Sequence, residues 1–137
     1  MKFLFILLFM CVPCFASDIA VIVNIKNYSR ISKKDISRIF KGELLTYRTI
    51  DLPVKVAVLG DPLVFNRFNT QVLELEASQL LSIWSKILYI DSHRSPYVAD
   101  RPSELVDYVT SYEGAIGYLP LDQVTNDVRI VYVVRAG

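Results

Sequence analysis

Residues 18–24, Asp-Ile-Ala-Val-Ile-Val-Asn, form an almost unbroken apolar run of strand length, the pattern of a strand covered on both faces. Polar residues 26–30 follow, and then a helix start: Ser32 stands as N-cap with Asp35 three residues on, a variant of the capping box. Ile36, Ile39 and Phe40 make an i, i+3, i+4 stripe, and Gly42 occupies the place of a left-handed residue that ends a helix. Residues 54–59 read as a second buried strand. Gly60-Asp61-Pro62 then turns into a helix, with Asp61 as cap and Pro62 at the first helical position. Phe65, Phe68, Val72 and Leu75 mark the buried face of that helix, and Leu80, Trp84, Ile87 and Leu88 the inward face of another over residues 77–89. Residues 91–101 are polar and contain proline, which predicts a loop. A shorter helix over 102–110 carries Leu105, Val106 and Val109; Gly114 breaks it, and strands are expected over 115–119 and 128–134. The order β-α-β-α-α-α-β-β, with strands and helices interleaved, predicts an α/β fold with a central sheet flanked by helices.

The start of the chain has a different character. Lys2 precedes a short apolar run from Phe3 to Val12, and small Ala16 follows. This is the layout of a secretory signal peptide over residues 1–16, and the run is far shorter than the ~20 residues that span a bilayer. The residues before Cys11 and Cys14, Met10 and Pro13, are not the small ones a lipoprotein cleavage site wants. The working part is then a single domain over residues 17–137, periplasmic or secreted, with no stable membrane insertion once the signal is gone. Lys2 is the only charge in residues 1–16, so that part holds 14 basic against 14 acidic residues. Such a balance offers no basic face for nucleic acid. Both cysteines lie within residues 1–16, so the remainder has no disulfide, thiolate ligand or thiol nucleophile.

Three segments in order resemble one family. Residues 31–42, Ile-Ser-Lys-Lys-Asp-Ile-Ser-Arg-Ile-Phe-Lys-Gly, are similar to the L-s-x-x-x-I-x-x-I-F-x-G helix of phosphate-type periplasmic substrate-binding proteins. Residues 54–59 and the Phe65/Phe68 helix resemble the next strand and the ligand-loop helix. Residues 114–119, Gly-Ala-Ile-Gly-Tyr-Leu, resemble the G-A-I-G-Y-V strand that follows. The resemblance implies a single periplasmic-binding-protein-like lobe, about half the length of the full two-lobed receptors, with no second wall to close on a ligand. It also implies an oxyanion ligand, phosphate first, in connection with ABC-type uptake or sensing. At the ligand loop the family places a Gly-Ser-Gly-Thr-like stretch preceded by Arg, whose amides, hydroxyls and helix end hold the anion. This chain departs there: Gly60-Asp61-Pro62-Leu63-Val64 has no hydroxyl, lacks one amide at Pro62, and sets a carboxylate at the mouth, with Val58 and Leu59 near the place of the Arg.

The candidate ligand residues are Gly60 and Asp61 at that loop, and Arg67 one turn in, which could reach an anion near Gly60 or simply face solvent. Ser29, Arg30 and Ser32 before the first helix could form a hydroxyl-and-guanidinium site, Ser32 serving equally as a cap. Tyr118 either lines the ligand face or packs. His93-Arg94-Ser95, with Asp91 and Arg101 nearby, holds the single histidine, but no G-x-S-x-G or H-E-x-x-H pattern accompanies it. A binding protein is therefore expected rather than an enzyme, with no metal set and no cofactor. Two functions remain open: an oxyanion binder, completed by a homodimer that faces two lobes across a cleft, or a ligand-dead module that kept the fold and binds another cell-envelope protein.

Overall fold

The computed structural model describes residues 17–136; the expected signal peptide lies outside the described residues. Five strands and four helices alternate: β1 (Ile19–Asn24), α1 (Lys33–Phe40), β2 (Lys55–Leu59), α2 (Pro62–Phe68), α3 (Ala77–Ile90), β3 (Tyr97–Ala99), α4 (Pro102–Ser111), β4 (Ala115–Pro120) and β5 (Val128–Val134). They form one mixed sheet in the order β3-β2-β4-β1-β5. β2 runs parallel to β3 and β4, whereas β1 is antiparallel to both its neighbours, β4 and β5. The continuous apolar run of β1 has its explanation here: the strand lies inside the sheet with all six residues buried.

Helices cover both faces, and two consecutive residues of β4 show how. Gly117 faces α4, where an added Cβ would press on Leu105 and on the Ala57 carbonyl, so the glycine permits a close helix–sheet approach. Tyr118, pointing the other way, packs against Phe40 of α1 at 5.7 Å and stacks on Phe68 of α2 at 3.9 Å between ring centroids. Phe40 and Phe68 meet edge to face. These rings knit α1, α2 and the sheet into one core.

Local signals account for the helix ends. Ser32 and Asp35 form the full reciprocal capping box, and Gly42 takes a left-handed φ of 76°. Two features depart from the sequence pattern. The loop expected over residues 91–101 contains a short helical turn, Ser92–Arg94, and the edge strand β3. Three residues behind Pro96 are too few to show a strand period, and it is pairing with β2 that makes them one. The helix that begins at Pro62 also does not run on regularly: it widens into a π-helical turn at Asn69–Leu73, which ends at Glu74 in the left-handed region, φ 55°.

Candidate functional site

The loop at the C-terminal end of β2, where a ligand enters an open α/β sheet, is built around one carboxylate. Asp61 is the N-cap of α2, and its Oδ1 accepts from the Leu63 amide at 3.0 Å and the Val64 amide at 3.5 Å. Pro62 has no amide to offer, and the Phe65 amide already donates to the Asp61 carbonyl. The Gly60 amide donates to the Ala99 carbonyl of β3 at 2.8 Å. Every donor of the first turn is thus taken by the chain itself, and a negative charge already stands at the positive end of the helix. Beside the mouth is a cleft of about 290 Å³ with Val58, Phe65, Leu81, Trp84 and Val98 in its walls. Leu63 next to it is 77% exposed and Val98 57%.

Arg67 is not at this mouth. Its Nη1 donates to the Ser17 carbonyl at 2.7 Å, beside Asp18, which accepts from the Ala136 amide at 2.8 Å and pairs with Arg135 at 3.0 Å. Those contacts hold the Asp18 carboxyl below its ordinary value, the Ala136 amide most of all. The guanidinium therefore ties α2 to the place where the first and last described residues meet, and its expected reach toward Gly60 is not what the structure shows.

The second candidate cluster is also engaged internally. The Ser32 hydroxyl accepts from the Asp35 amide, and the Asp35 carboxylate accepts from the Ser32 amide at 3.0 Å. Arg48 completes the arrangement at 2.9 Å from Asp35. Burial raises the Asp35 pKa, but the Ser32 hydrogen bonds and the Arg48 charge outweigh it, and the carboxyl ends below its ordinary value. Ser29 is buried, and its carbonyl, with that of Asn27, accepts from Arg129 at 2.8 Å. Only the Arg30 side chain stands free on the surface. Tyr118, one of the two placements weighed for it, is core: fully buried, with its hydroxyl lacking a protein partner and desolvation pushing its pKa strongly upward. The seven candidates thus fall into four separate places, not one site. Arg48 and Arg129 carry contacts that the sequence pattern did not single out; the lone charge in Val-Arg-Ile-Val-Tyr-Val-Val was the one available sign for Arg129. His93 is exposed and lies 3.5 Å from Asp91. Among the described residues no group of three or more His, Cys, Asp or Glu is placed to hold a metal, and no helix is long and apolar enough to cross a membrane.

Solved structures show the same architecture. A protein assigned as a phosphate ABC transporter substrate-binding protein from Clostridium perfringens, solved with bound phosphate, matches with a TM-score of 0.64 at 19% identity, over 84% of this chain and 45% of that one. An ABC-type phosphate transport receptor from Vibrio cholerae matches with a TM-score of 0.55 at 13% identity, over 84% of this chain and 46% of that one. The fold is that of a single periplasmic-binding-protein-like lobe. The chain spans less than half the length of either receptor. At these identities it is the fold that is shared, and the α/β class expected from the interleaved strands and helices and the lobe architecture expected from the three motifs are what the structure has. No protein-family profile matches the chain, and no curated protein matches it in sequence.

Proposed function

We propose that this chain is an exported solute-binding-like lobe, which works by binding rather than by catalysis, with an oxyanion, phosphate first, as its ligand class and ABC-type uptake or sensing as its setting. The observation that supports this is the fold likeness to two phosphate-receptor proteins over 84% of the chain. The lobe described provides one wall, and in this reading the anion's other contacts come from a second lobe, as in a homodimer or another envelope protein.

A specific observation favours a second reading. Asp61 takes both available amides of the first turn of α2, and Pro62 removes a third. A phosphate approaching this mouth meets a like charge and finds no free amide in the first turn of α2, both of which oppose binding. The exposed Leu63, Leu81 and Val98 around it suit a protein contact better than a hydrated anion. On this reading the lobe is a ligand-dead interaction module for another cell-envelope protein.

Calorimetric titration of inorganic phosphate into the purified protein, with sulfate as control, separates the two. Saturable micromolar binding supports the oxyanion function. No heat at millimolar phosphate rejects it and favours the interaction module. Asp61→Ser then tests the cause: phosphate binding gained only in that variant means the lobe retains an anion site that Asp61 closes, and silence in both proteins means the loop has lost the site altogether.

A further inference from the structure

Beneath α3, at the N-terminal end of β2 and so at the other end of that strand from Gly60, lies a second cavity of about 150 Å³. Its origin is in α3 itself. The helix is apolar over most of its circumference, yet of its fourteen residues only Leu80 is fully buried, and Trp84 and Ile87 are half-buried. The helix stands off the sheet, and the space beneath it is bounded by Phe40 of α1, Val56 of β2, and Trp84 and Ile87 of α3. The indole is fixed there, because Trp84 Nε1 donates to the Phe40 carbonyl at 2.7 Å.

The rim is cationic. Arg94 and Lys55 border the cavity, and none of the residues lining it is Asp or Glu. Arg94 is half-buried and held by one bond, Nη2 to the Gly42 carbonyl at 2.8 Å. Among the described residues no carboxylate lies within ion-pair distance of Arg94 or Lys55. Lys55 instead rests over the Tyr112 ring, 4.6 Å from its centre. His93, also at the rim, already faces Asp91. The Arg94 guanidinium keeps donors free to take an acceptor, and a cavity of this size, bounded on one side by Trp84, Ile87 and Val56, is large enough for one ring-sized molecule.

We infer that this cavity is a binding site for a small monocarboxylate with a ring-sized apolar body, the body against Trp84, Ile87 and Val56 and the carboxylate on the free edge of Arg94. Inorganic phosphate would meet Arg94 and Lys55 but leave the Trp84, Ile87 and Val56 side of the cavity without an apolar partner. A neutral ring fills the space but leaves Arg94 as it was.

The single tryptophan of the chain borders both this cavity and the cleft beside Gly60, so its emission reports binding at either, and a substitution at Arg94, which borders only this cavity, assigns the response. Benzoate is titrated into the purified protein, in parallel with its two halves, benzyl alcohol (the ring without the charge) and acetate (the charge without the ring). The expected result is a saturable change in Trp84 emission with benzoate, at a concentration at least about 10-fold lower than for either half, and about a 10-fold loss in Arg94→Gln, as for a charge-assisted hydrogen bond. A benzoate response no stronger than that of benzyl alcohol or acetate, or none, overturns the assignment, as does undiminished binding in a folded Arg94→Gln. If that variant fails to fold without its tie to Gly42, Ile87→Phe, which narrows this cavity and does not border the other cleft, takes its place: a lost benzoate response supports the assignment and an undiminished one overturns it. Phosphate enters none of these measurements, so failure here leaves the proposed oxyanion function untouched.

Discussion

Asp35 does two jobs with one carboxylate: it closes the start of α1 and it neutralises Arg48. Its pKa is depressed in the folded chain, so its contribution to stability is complete above the carboxylate's ordinary pKa and is lost as pH falls through the lower, folded value. Asp35→Ala should therefore cost about 1–2 kcal/mol near neutral pH, read as a lower urea midpoint, and the gap to the unaltered protein should close as pH falls below about 4. An equal gap at both pH values would mean that the cost is packing, not charge. The Ser32–Asp35 pair and Gly42 were legible because caps are written in local residue types. Arg48 was not, since its pairing depends on the return of a loop thirteen residues on. Asp61 was readable as a cap for the same local reason, whereas Arg67's contact with Ser17 depends on where the sheet places the start of the chain.

Among the elements, the helix that follows β2 is the irregular one. Its widened turn ends at Glu74, the one described residue other than glycine with positive φ. A side chain in that region is strained, and Glu74 is exposed, so Glu74→Gly should raise stability by about 0.5–1 kcal/mol, seen as a higher thermal midpoint; a lower midpoint would show that the side chain supports the turn. The apolar stripes of the sequence had located α2 and α3 but not the widened turn between them, because Val72 and Leu75 continue an ordinary helical spacing. β3 was missed for the opposite reason. Tyr97-Val98-Ala99 has no period of its own and becomes a strand only by pairing with β2. α3 raises a further expectation. With one fully buried residue, its later turns should open locally well before the molecule unfolds. Amide exchange there should be at least about 100-fold faster than in β1, and equal protection would mean that α3 is clamped to the sheet more firmly than its burial suggests.

For the whole molecule, the class and the layering followed from alternation of strand and helix, and the sheet order did not. Nothing in the apolar run of β1 says that its neighbours are β4 and β5, or that it runs against both. The candidate residues fared by the same rule. Each sits on the element where the pattern put it, but which of them share a site is a property of topology, and the topology separates them. A lobe with a self-capped mouth and a cavity at the other end of β2 has two places where a small molecule could be tested, and they answer to different chemistry. Phosphate titration reads one, and benzoate with its halves the other.

The position of β1 bears finally on the order in which the protein can be made. The strand is made about 100 residues ahead of both partners that shelter its edges, so its stretch of six apolar-rich residues stays without a ladder until β4 and β5 have followed. A nascent chain stopped anywhere before Ala115 carries an open, aggregation-prone strand and no means of covering it. Closure of the sheet around β1 therefore waits for β4 and β5, and any product cut short before them exposes a segment that, in the folded lobe, lies inside the sheet.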